Sequence, residues 1–452
     1  MADIRNLLDN IFIVIMENRS FDHALGYLSL PTYNVRENPP HSRIDIEGIR
    51  QAWRDGYLNR YSGIDYPPWH RTDLAIAVDP PHERLDVSVQ MGSPEAPFPM
   101  NGFVESYASN ANVAAADCGD VMGFYTSAEL PVSDFLARNF GICDHWFSAI
   151  PASTQPNRLM AMSGYTMRDK TLDWPPFAEQ DLVYDWLDHN RISWRVYHEG
   201  FPFFMLMPRI AARVLDPLDN HFRDFRDLKR DWLMDKDFPK VVFIEPIYTD
   251  ALHLDTPDDD HPSTPVAHGQ QFLWKIYDAI IANAERWCRS ALIITYDENG
   301  GFFDHVQPLT QATVQNHNEE YKPFKTTGVR VPAIVVSPLV DPGTVFHQNF
   351  DHTSLLRLLA DRFTPGQAYS AEVSARKKID SAVELFARDT PVLDLARPPA
   401  YPIQPAAVPR VVPENAMRPN QLAFRNALNE IRRQNPYAAA TKFPSWRDYF
   451  LK

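Results

Sequence analysis

Four short runs rich in β-branched and other apolar residues constrain most strongly what this chain can fold into. They cover residues 11–16, 241–246, 291–298 and 331–338. Their apolar residues are continuous, whereas a strand with one solvent-exposed face alternates apolar and polar residues. Continuous apolar runs are typical of strands covered on both faces, as in a parallel sheet flanked by helices. The runs therefore predict a buried, mostly parallel sheet.

Helical patterns separate these runs. Residues 353–363 form a short amphipathic pattern, and residues 268–290 form a long one whose apolar stripe contains Phe272, Ile276, Ala279 and Ile280. Strands that alternate with helices predict an α/β fold, in which a doubly wound sheet carries helices on both faces. The crossover connections of such a sheet are right-handed.

The chain is long for one minimal domain, since 452 residues suit one large α/β domain with insertions or two domains. Residues 30–130 contain many prolines and little periodicity, which predicts large loop insertions, or a lid, above the sheet. Prolines are dense again over residues 390–413 and favour an extended strap. We therefore predict a main domain of residues 1–390. Residues 391–452 form the strap and a last helix, over 419–434, that pack on it.

Charge and composition limit the partners. The formal net charge is −14 and no long basic block occurs, which argues against nucleic acid and against an anionic membrane surface. No stretch reaches the roughly 18 apolar residues of an integral membrane span. The first ten residues lack the features of a signal peptide. We expect a soluble, cytoplasmic protein, or a secreted one if a leader has been trimmed.

Polar side chains follow two of the predicted strands. Glu17 and Asn18 come directly after the first run, and Asp297 and Glu298 end the third. Because ligands of open α/β sheets bind beyond the carboxyl ends of strands, both pairs are candidate ligands at one edge. Crowded carboxylates repel each other unless a cation binds them. Oxygen donors favour Ca²⁺, Mg²⁺ or Mn²⁺, and Zn²⁺ if imidazoles join. Either pair alone could instead cap a helix or form a turn.

A hydroxyl at a predicted helix start is a further candidate. Ser153 and Thr154 precede Pro156, and the following residues read as the beginning of a helix. A hydroxyl at this position can cap the helix, or it can act as a nucleophile whose alkoxide a metal stabilises. Asn157 and Arg158 could bind an anion or brace the turn.

Three of the fifteen histidines are candidates for the site. His261 lies in the segment DDDHPS, His82 lies in DPPHERLD, and His198 follows a short predicted strand. A histidine beside carboxylates gains proton affinity, which suits contact with phosphate or proton donation to a leaving group. A structural or solvated role stays open for each of them.

Four segments occur here in the order and rough spacing of one bacterial family: MENRSFDHALG, STQPNRLMAMSG, DDDHP and YDENGGFFDHV. The chain resembles, over roughly residues 10–365, the phosphoesterase family that contains the phosphatidylcholine-type phospholipases C and a respiratory-burst-inhibiting acid phosphatase. The resemblance implies a fold like that of the alkaline-phosphatase superfamily.

The resemblance also implies residue roles. One divalent metal ion would be held by Glu17, Asn18, Asp297 and Glu298, together with the oxygen of Thr154. Thr154 would be the nucleophile, and His261 and His198 would be catalytic histidines. Asn157, Arg158 and His82 would bind substrate. The implied activity is metal-dependent hydrolysis of phosphoesters by a phospholipase C-like phosphodiesterase that acts through a phosphothreonine intermediate.

Three questions stay open at this point. The substrate could be a phospholipid or a small molecule, and an acid phosphatase acting on soluble phosphomonoesters is the nearest alternative. A member that binds metal or phosphate without catalysis is the alternative from another class. The aromatic and methionine residues at positions 200–208 could line a pocket for acyl or choline groups, or pack in the core.

Overall fold

The computed structural model describes residues 7–34, 45–50, 56–93, 99–173, 180–254, 256–311, 323–386, 388, 390–392, 397 and 417–452. Its strands are β1 (Asn10–Met16), β2 (Asn59–Tyr61), β3 (Ile64–Tyr66), β4 (Trp69–His70), β5 (Gly123–Phe124), β6 (Gly141–Cys143), β7 (Trp146–Phe147), β8 (Trp194–His198), β9 (Phe222–Asp224), β10 (Val241–Glu245), β11 (Ser290–Tyr296), β12 (Ala333–Val336), β13 (Thr344–Phe346) and β14 (Phe350–Asp351).

Eight of these strands form one sheet, in the order β13-β6-β12-β11-β1-β10-β8-β9. Strand β12 runs antiparallel to both of its neighbours, and the other pairs of the sheet are parallel. The four apolar runs form β1, β10, β11 and β12, and every residue of these strands is buried. The predicted α/β fold with a mostly parallel sheet is therefore confirmed.

The α-helices of the described residues are α1 (Phe21–Ala24), α2 (Arg84–Gln90), α3 (Phe103–Ala108), α4 (Pro131–Asn139), α5 (Thr154–Ser163), α6 (Val183–His189), α7 (Pro208–Leu215), α8 (Leu228–Met234), α9 (Val266–Ile281), α10 (Ala284–Trp287), α11 (Thr353–Phe363), α12 (Ala371–Ala375), α13 (Pro419–Gln434), α14 (Pro436–Lys442) and α15 (Arg447–Leu451). Helices α11 and α13 have the predicted bounds. The single helix predicted over residues 268–290 is two helices. The Asn283 side chain accepts a hydrogen bond from the backbone N–H of Arg286 and begins α10.

The predicted insertion region has a small core of its own. Val87 of α2 and Phe103 of α3 pack there with Val121, and Phe302 and Phe303 from the loop after β11 complete the cluster. This packing brings the segment before α2 to the edge of the main sheet. The parts of the insertion at residues 35–44, 51–55 and 94–98 lie outside the described residues.

The C-terminal helices belong to the main hydrophobic core. Phe424 of α13 packs with the ring of Phe203 at a centroid distance of 5.7 Å, and Phe443 packs with Phe201 at 4.7 Å. Residues 201–207 are buried and therefore pack in the core. Most of the predicted proline strap, at residues 393–396 and 398–416, lies outside the described residues. Within the described ranges, each helix is too short or too polar to cross a bilayer.

Candidate active site

The carboxyl ends of β1 and β11 bring the two predicted ligand pairs together. The strands are adjacent and parallel, with Met16 paired to Tyr296, so the next residue of each strand emerges at the same place. The backbone N–H of Asp297 donates to the Met16 carbonyl at 3.1 Å. The backbone N–H of Asn18 donates to Asp297 Oδ1 at 3.2 Å. Glu17, Asn18, Asp297 and Glu298 are all completely buried.

The turn after β11 approaches this cluster closely. Gly300 has φ of +59°, in the left-handed region. A Cβ atom at this position would lie 2.4 Å from the carbonyl oxygen of Asn18. Asn18 itself has φ of +65°, which is uncommon for a residue with a side chain. The glycine of the NGG segment therefore lets the two ligand-bearing turns pack against each other.

The donor set fits a divalent metal ion. Glu17 Oε2, Asn18 Oδ1 and Glu298 Oε1 are buried and have no hydrogen-bond partner in the described part of the chain. Burial raises the pKa of Glu17 well above its usual value, and the Asp297 charge adds to the rise against the opposing Arg158. Burial and Asp297 also raise the pKa of Glu298 to about 8, against the opposing His82. A divalent cation would coordinate the oxygens that lack hydrogen-bond partners and would balance the charge of the carboxylates.

Arg158 lies beneath the ligand cluster. Its Nη2 donates to Glu17 Oε1 at 3.1 Å, and its Nε donates to Asp297 Oδ2 at 3.3 Å. The guanidinium carbon lies 4.9 Å from the ring centroid of Phe203 and 5.1 Å from that of Tyr248. The guanidinium orients two of the carboxylates. Substrate contact by Arg158 stays a prediction.

Thr154 begins α5, one helical turn before Arg158. This helix packs against the ligand cluster through Arg158, which contacts Glu17 and Asp297, and the dipole at its N-terminus favours negative charge nearby. Ser153 at the cap position is engaged elsewhere, since its hydroxyl donates to Glu83 Oε2 at 2.7 Å. The helix ends at Gly164, which has φ of +83°.

Asn157 braces the turn before α5. Its Nδ2 donates to the carbonyl oxygens of Ile150 and Ala152 at 3.1 and 2.6 Å, and its Oδ1 accepts from the backbone N–H of Ile150 at 3.1 Å. The amide is completely buried. These bonds to the backbone use the polar atoms of Asn157 for the turn, and its contact with substrate stays a prediction.

A cavity of about 630 Å³ opens at Thr154. It is lined by Ala77, Val78, Asp79, Pro80, Pro81, His82, Glu83, Asp86, Asn110, Asn112, Thr154, Thr171, Asp250, His261, Arg418, Pro419 and Asn420. The volume is in the range of small-molecule sites in proteins. The described lining contains four carboxylates, one arginine and two histidines.

His82 links the cavity to the ligand cluster. Its Nε2 lies 3.4 Å from Asn18 Nδ2 and 3.9 Å from Glu298 Oε1, and its Nδ1 lies 2.7 Å from the Pro80 carbonyl oxygen. Burial lowers the pKa of His82, but the carboxylates of Glu298, Asp79 and Glu83 outweigh it and raise that pKa to about 9.

His261 also lies at the ligand cluster. Its ring nitrogen and carboxylate oxygens of Glu17 and Asp250 lie within 4.8 Å of one another, and it forms a second such group with Asp79 and His82. Burial, followed by the nearby Arg418 guanidinium, holds the pKa of His261 well below its usual range. Imidazoles therefore stand beside the carboxylates, which adds nitrogen donors to the oxygen set.

The structure does not bring His198 to the cavity. Its Nδ1 lies 2.7 Å from the Gly200 carbonyl oxygen, and its ring packs 5.9 Å from the ring of Phe443. Burial and the Lys442 charge lower the pKa of His198 to about 4. Strand β10 separates its strand from β1. The strand order places His198 beyond β10, away from the described lining of the cavity, and its catalytic role stays a prediction.

Sequence reasoning missed several residues of the cavity, and among them Asp79, Asp250 and Arg418 contact its histidines or each other. Asp79 stands three positions before His82, and that spacing was an available signal. Asp250 lies in a loop and Arg418 lies before α13, and neither has a local pattern that marks it. The fold alone brings these residues together.

Comparison with known proteins defines the class to which this fold and site belong. The chain matches the model of the Phosphoesterase family over residues 8–364. The chain belongs to this family. The prediction that it is a hydrolase of phosphoester bonds is thereby confirmed at the level of the family.

Individual relatives carry more particular names. Non-specific phospholipase C4 of Arabidopsis thaliana is 32% identical over 432 residues, which cover 88% of this chain and 75% of the plant protein. Phospholipase C A of Mycobacterium tuberculosis is 27% identical and covers 79% of this chain and 73% of its own. A solved structure from Vibrio parahaemolyticus, described as a protein in the alkaline phosphatase superfamily, gives a TM-score of 0.32 at 11% identity, covering 54% of this chain and 62% of its own.

Proposed function

We propose that this phosphoesterase is a metal-dependent phosphodiesterase of the phospholipase C type, acting through a phosphothreonine intermediate. One observation carries the proposal. Three buried oxygens without partners among the described residues lie at the strand ends beside His82 and His261, and these two histidines line a cavity together with Thr154. The names of the plant and mycobacterial relatives support the phospholipase C assignment.

Glu17, Asn18, Asp297 and Glu298 would hold the metal ion, with the Thr154 oxygen as a further ligand. When bound, a divalent ion acts as a Lewis acid that favours the alkoxide form of a hydroxyl and polarises a phosphoryl oxygen. The nearby imidazoles of His82 and His261 make Zn²⁺ a candidate beside Ca²⁺, Mg²⁺ and Mn²⁺.

Thr154 is the proposed nucleophile. The neutral imidazole of His261 accepts the proton of the Thr154 hydroxyl, whose oxygen forms a bond to phosphorus while the bond from phosphorus to the leaving alcohol oxygen breaks. His82, whose pKa of about 9 keeps it protonated at neutral pH, supplies the proton to the leaving oxygen. A water molecule then attacks the phosphothreonine, releases the phosphate product and restores the hydroxyl. The positive end of the α5 dipole stabilises charge that develops on the phosphoryl oxygens.

The charge of the cavity favours a diester over a monoester. Four carboxylates line it, from Asp79, Glu83, Asp86 and Asp250. Among the described lining residues, Arg418 supplies the one permanently charged cation. A phosphomonoester dianion carries one more negative charge than a diester and is repelled more strongly by carboxylates. Acid phosphatase activity on phosphomonoesters is therefore our second candidate function, after phosphodiester hydrolysis.

A pair of chromogenic substrates tests this order. p-Nitrophenyl phosphorylcholine is a diester and p-nitrophenyl phosphate is a monoester with the same leaving group. With added divalent metal, we expect the protein to hydrolyse the diester with the higher kcat/KM. A higher kcat/KM for the monoester would reverse the order. No hydrolysis of either substrate, or of phosphatidylcholine vesicles, with each of the four metals would instead support a binding protein without catalysis.

A further inference from the structure

The guanidinium of Arg418 lies in the cavity among groups that commonly bind metal ions. Its Nη2 donates to Asp250 Oδ1 at 2.6 Å, and its Nη1 donates to the Asp79 carboxylate and to the Pro262 carbonyl oxygen. Nη1 also lies 3.3 Å from Nδ1 of His261. The Asp79 and Asp250 carboxylates therefore have a tethered organic cation between them.

The start of α13 holds Arg418 in this place. Asn420 Nδ2 donates to Asp250 Oδ2 at 3.1 Å, and Asn420 Oδ1 accepts from Gln155 Nε2 at 3.1 Å. Gln155 is the neighbour of the proposed nucleophile Thr154. Further along α13, Phe424 and Leu428 are buried in the main core. The helix is thus anchored at its apolar face while its first residues bond to both sides of the cavity.

Arg418 comes from outside the segment that defines the family. The family match ends at residue 364, and Arg418 follows it by more than fifty positions. Its side chain keeps 27% of its surface exposed, and the residue lines the cavity. The side chain is therefore both held by carboxylates and partly exposed at the cavity.

An anionic group needs a cation in this cavity. Four carboxylates line it, and their field repels a phosphoryl group. A guanidinium binds phosphate oxygens with a planar, bidentate geometry, and cations around a phosphoryl group stabilise the charge on its equatorial oxygens during transfer.

We propose that Arg418 is a substrate-binding residue, whose guanidinium contacts a non-bridging oxygen of the phosphoryl group in the cavity. This inference rests on the proposed function, because it takes phosphoester hydrolysis to occur there. The ligand class is a phosphoryl group, and inorganic phosphate is the simplest member of it.

Two variants and a matched control test the role. Arg418→Ala removes the cation, Arg418→Lys keeps the charge without the planar fork, and Arg433→Ala removes an arginine near the far end of the same helix. In the metal-supplemented enzyme, we expect Arg418→Ala to raise the inhibition constant of inorganic phosphate and to lower kcat/KM, each by about 10- to 100-fold. Arg418→Lys should fall between, and Arg433→Ala should change both values by less than about twofold. Added guanidinium ion should restore part of the activity of Arg418→Ala.

An unchanged phosphate inhibition constant in Arg418→Ala would overturn the proposal. If the same variant also had a lower melting temperature, Arg418 would only tie the helix to the domain. A measurement on the unmodified protein covers the case in which the variants do not fold. Phenylglyoxal labelling read by mass spectrometry should be slower at Arg418 when inorganic phosphate is present and unchanged at Arg433. Equal labelling of Arg418 with and without phosphate would overturn the proposal.

The two proposals fail in different ways. Absence of phosphoester hydrolysis by the unmodified protein would refute the proposed function. An active protein whose phosphate inhibition and labelling do not depend on Arg418 would refute this inference alone.

Discussion

At the scale of single residues, the buried carboxylates at the strand ends are the groups that most need a bound cation or hydrogen-bond donor. Glu17 and Glu298 each have an oxygen without a hydrogen-bond partner among the described residues. Folded proteins rarely keep such groups unless a ligand, ion or water binds them. Arg158 offsets part of the charge, but it contacts only one oxygen of Glu17. We therefore expect chemistry and stability to depend together on what binds to these oxygens.

The hydroxyl of Thr154 is the sharpest single test. We expect Thr154→Ala to fold normally and to lose about a thousandfold or more in kcat, because the proposed nucleophile is gone. Thr154→Ser should keep measurable activity, because it keeps a hydroxyl. Steady-state hydrolysis of p-nitrophenyl phosphorylcholine gives the values.

Thr441→Ala is the matched control for this test. Thr441 lies on α14, where its hydroxyl donates to the Tyr437 carbonyl oxygen at 2.9 Å. The substitution is chemically identical and should leave kcat unchanged. Retention of a tenth or more of the activity in Thr154→Ala would remove Thr154 from the nucleophile role.

His198 makes stability depend on pH. Its pKa is about 4 in the folded protein because of burial and the Lys442 charge, and about 6.5 when unfolded. Between these values the unfolded chain binds a proton that the folded chain does not. Stability is therefore complete above about pH 6.5 and falls as the pH drops towards 4, by about 2 kcal/mol at about pH 5. Urea unfolding at about pH 5 and pH 7.5 should show that this loss is smaller in His198→Gln.

The same variant also tests the sequence prediction that His198 is catalytic. Because the ring lies outside the cavity, we expect His198→Gln to keep its kcat/KM near that of the unmodified protein at neutral pH. A large loss of kcat without a change in melting temperature would restore a catalytic role. An identical pH dependence of stability in both proteins would contradict the pKa argument.

At the scale of elements, the turns after β1 and β11 decide whether the ligands converge. The strands bring the polar pairs to one edge because they are neighbours in register. The turns then need an unusual backbone, with positive φ at Asn18 and Gly300. Helix α5 meets them from the other side through Arg158. Strand order, two tight turns and one helix N-terminus therefore build the site together.

Gly300→Ala tests the close approach of these turns. The new Cβ would collide with the Asn18 carbonyl oxygen at 2.4 Å and would adopt positive φ. Gly63→Ala is the matched control, because Gly63 has φ of +79° and, among the described residues beyond its chain neighbours, no atom lies within 4 Å of its Cβ position. We expect a loss of about 1 kcal/mol in Gly63→Ala and about 3 kcal/mol in Gly300→Ala. Only Gly300→Ala should lose activity, because Asn18 must move. Equal losses of stability and activity in both variants would contradict the collision.

At the scale of the whole molecule, the site is assembled from segments that are far apart in the chain. The insertion contributes Asp79 and His82, the loop after β10 contributes Asp250 and His261, and the segment before α13 contributes Arg418. The insertion has its own small core, and the C-terminal helices share the main one. The cavity therefore depends on the packing of all three segments on the sheet.

Metal removal tests the site at this scale. A chelator should abolish activity and lower the melting temperature by about 3–5 °C, because the ion binds the folded protein alone. Added divalent metal should restore both. Glu17→Gln should lose most of the metal-dependent shift, whereas Glu430→Gln, at an exposed site on α13, should keep it. Full activity and an unchanged melting temperature in excess chelator would contradict a metal-dependent site.

The local features of this protein could be predicted from its amino-acid sequence. Continuous apolar runs gave four central strands, helical periodicity gave α11 and α13 with their bounds, and the polar residues after β1 and β11 proved to be neighbours. These features depend on short-range patterns and on the tendency of parallel strands to end at one edge. Tertiary structure alone decided that Arg418, Asp79 and Asp250 meet at the cavity, that Asn157 and Arg158 support it from within, and that His198 lies outside. Such contacts depend on how loops close over long separations in the chain, and no local pattern records that choice.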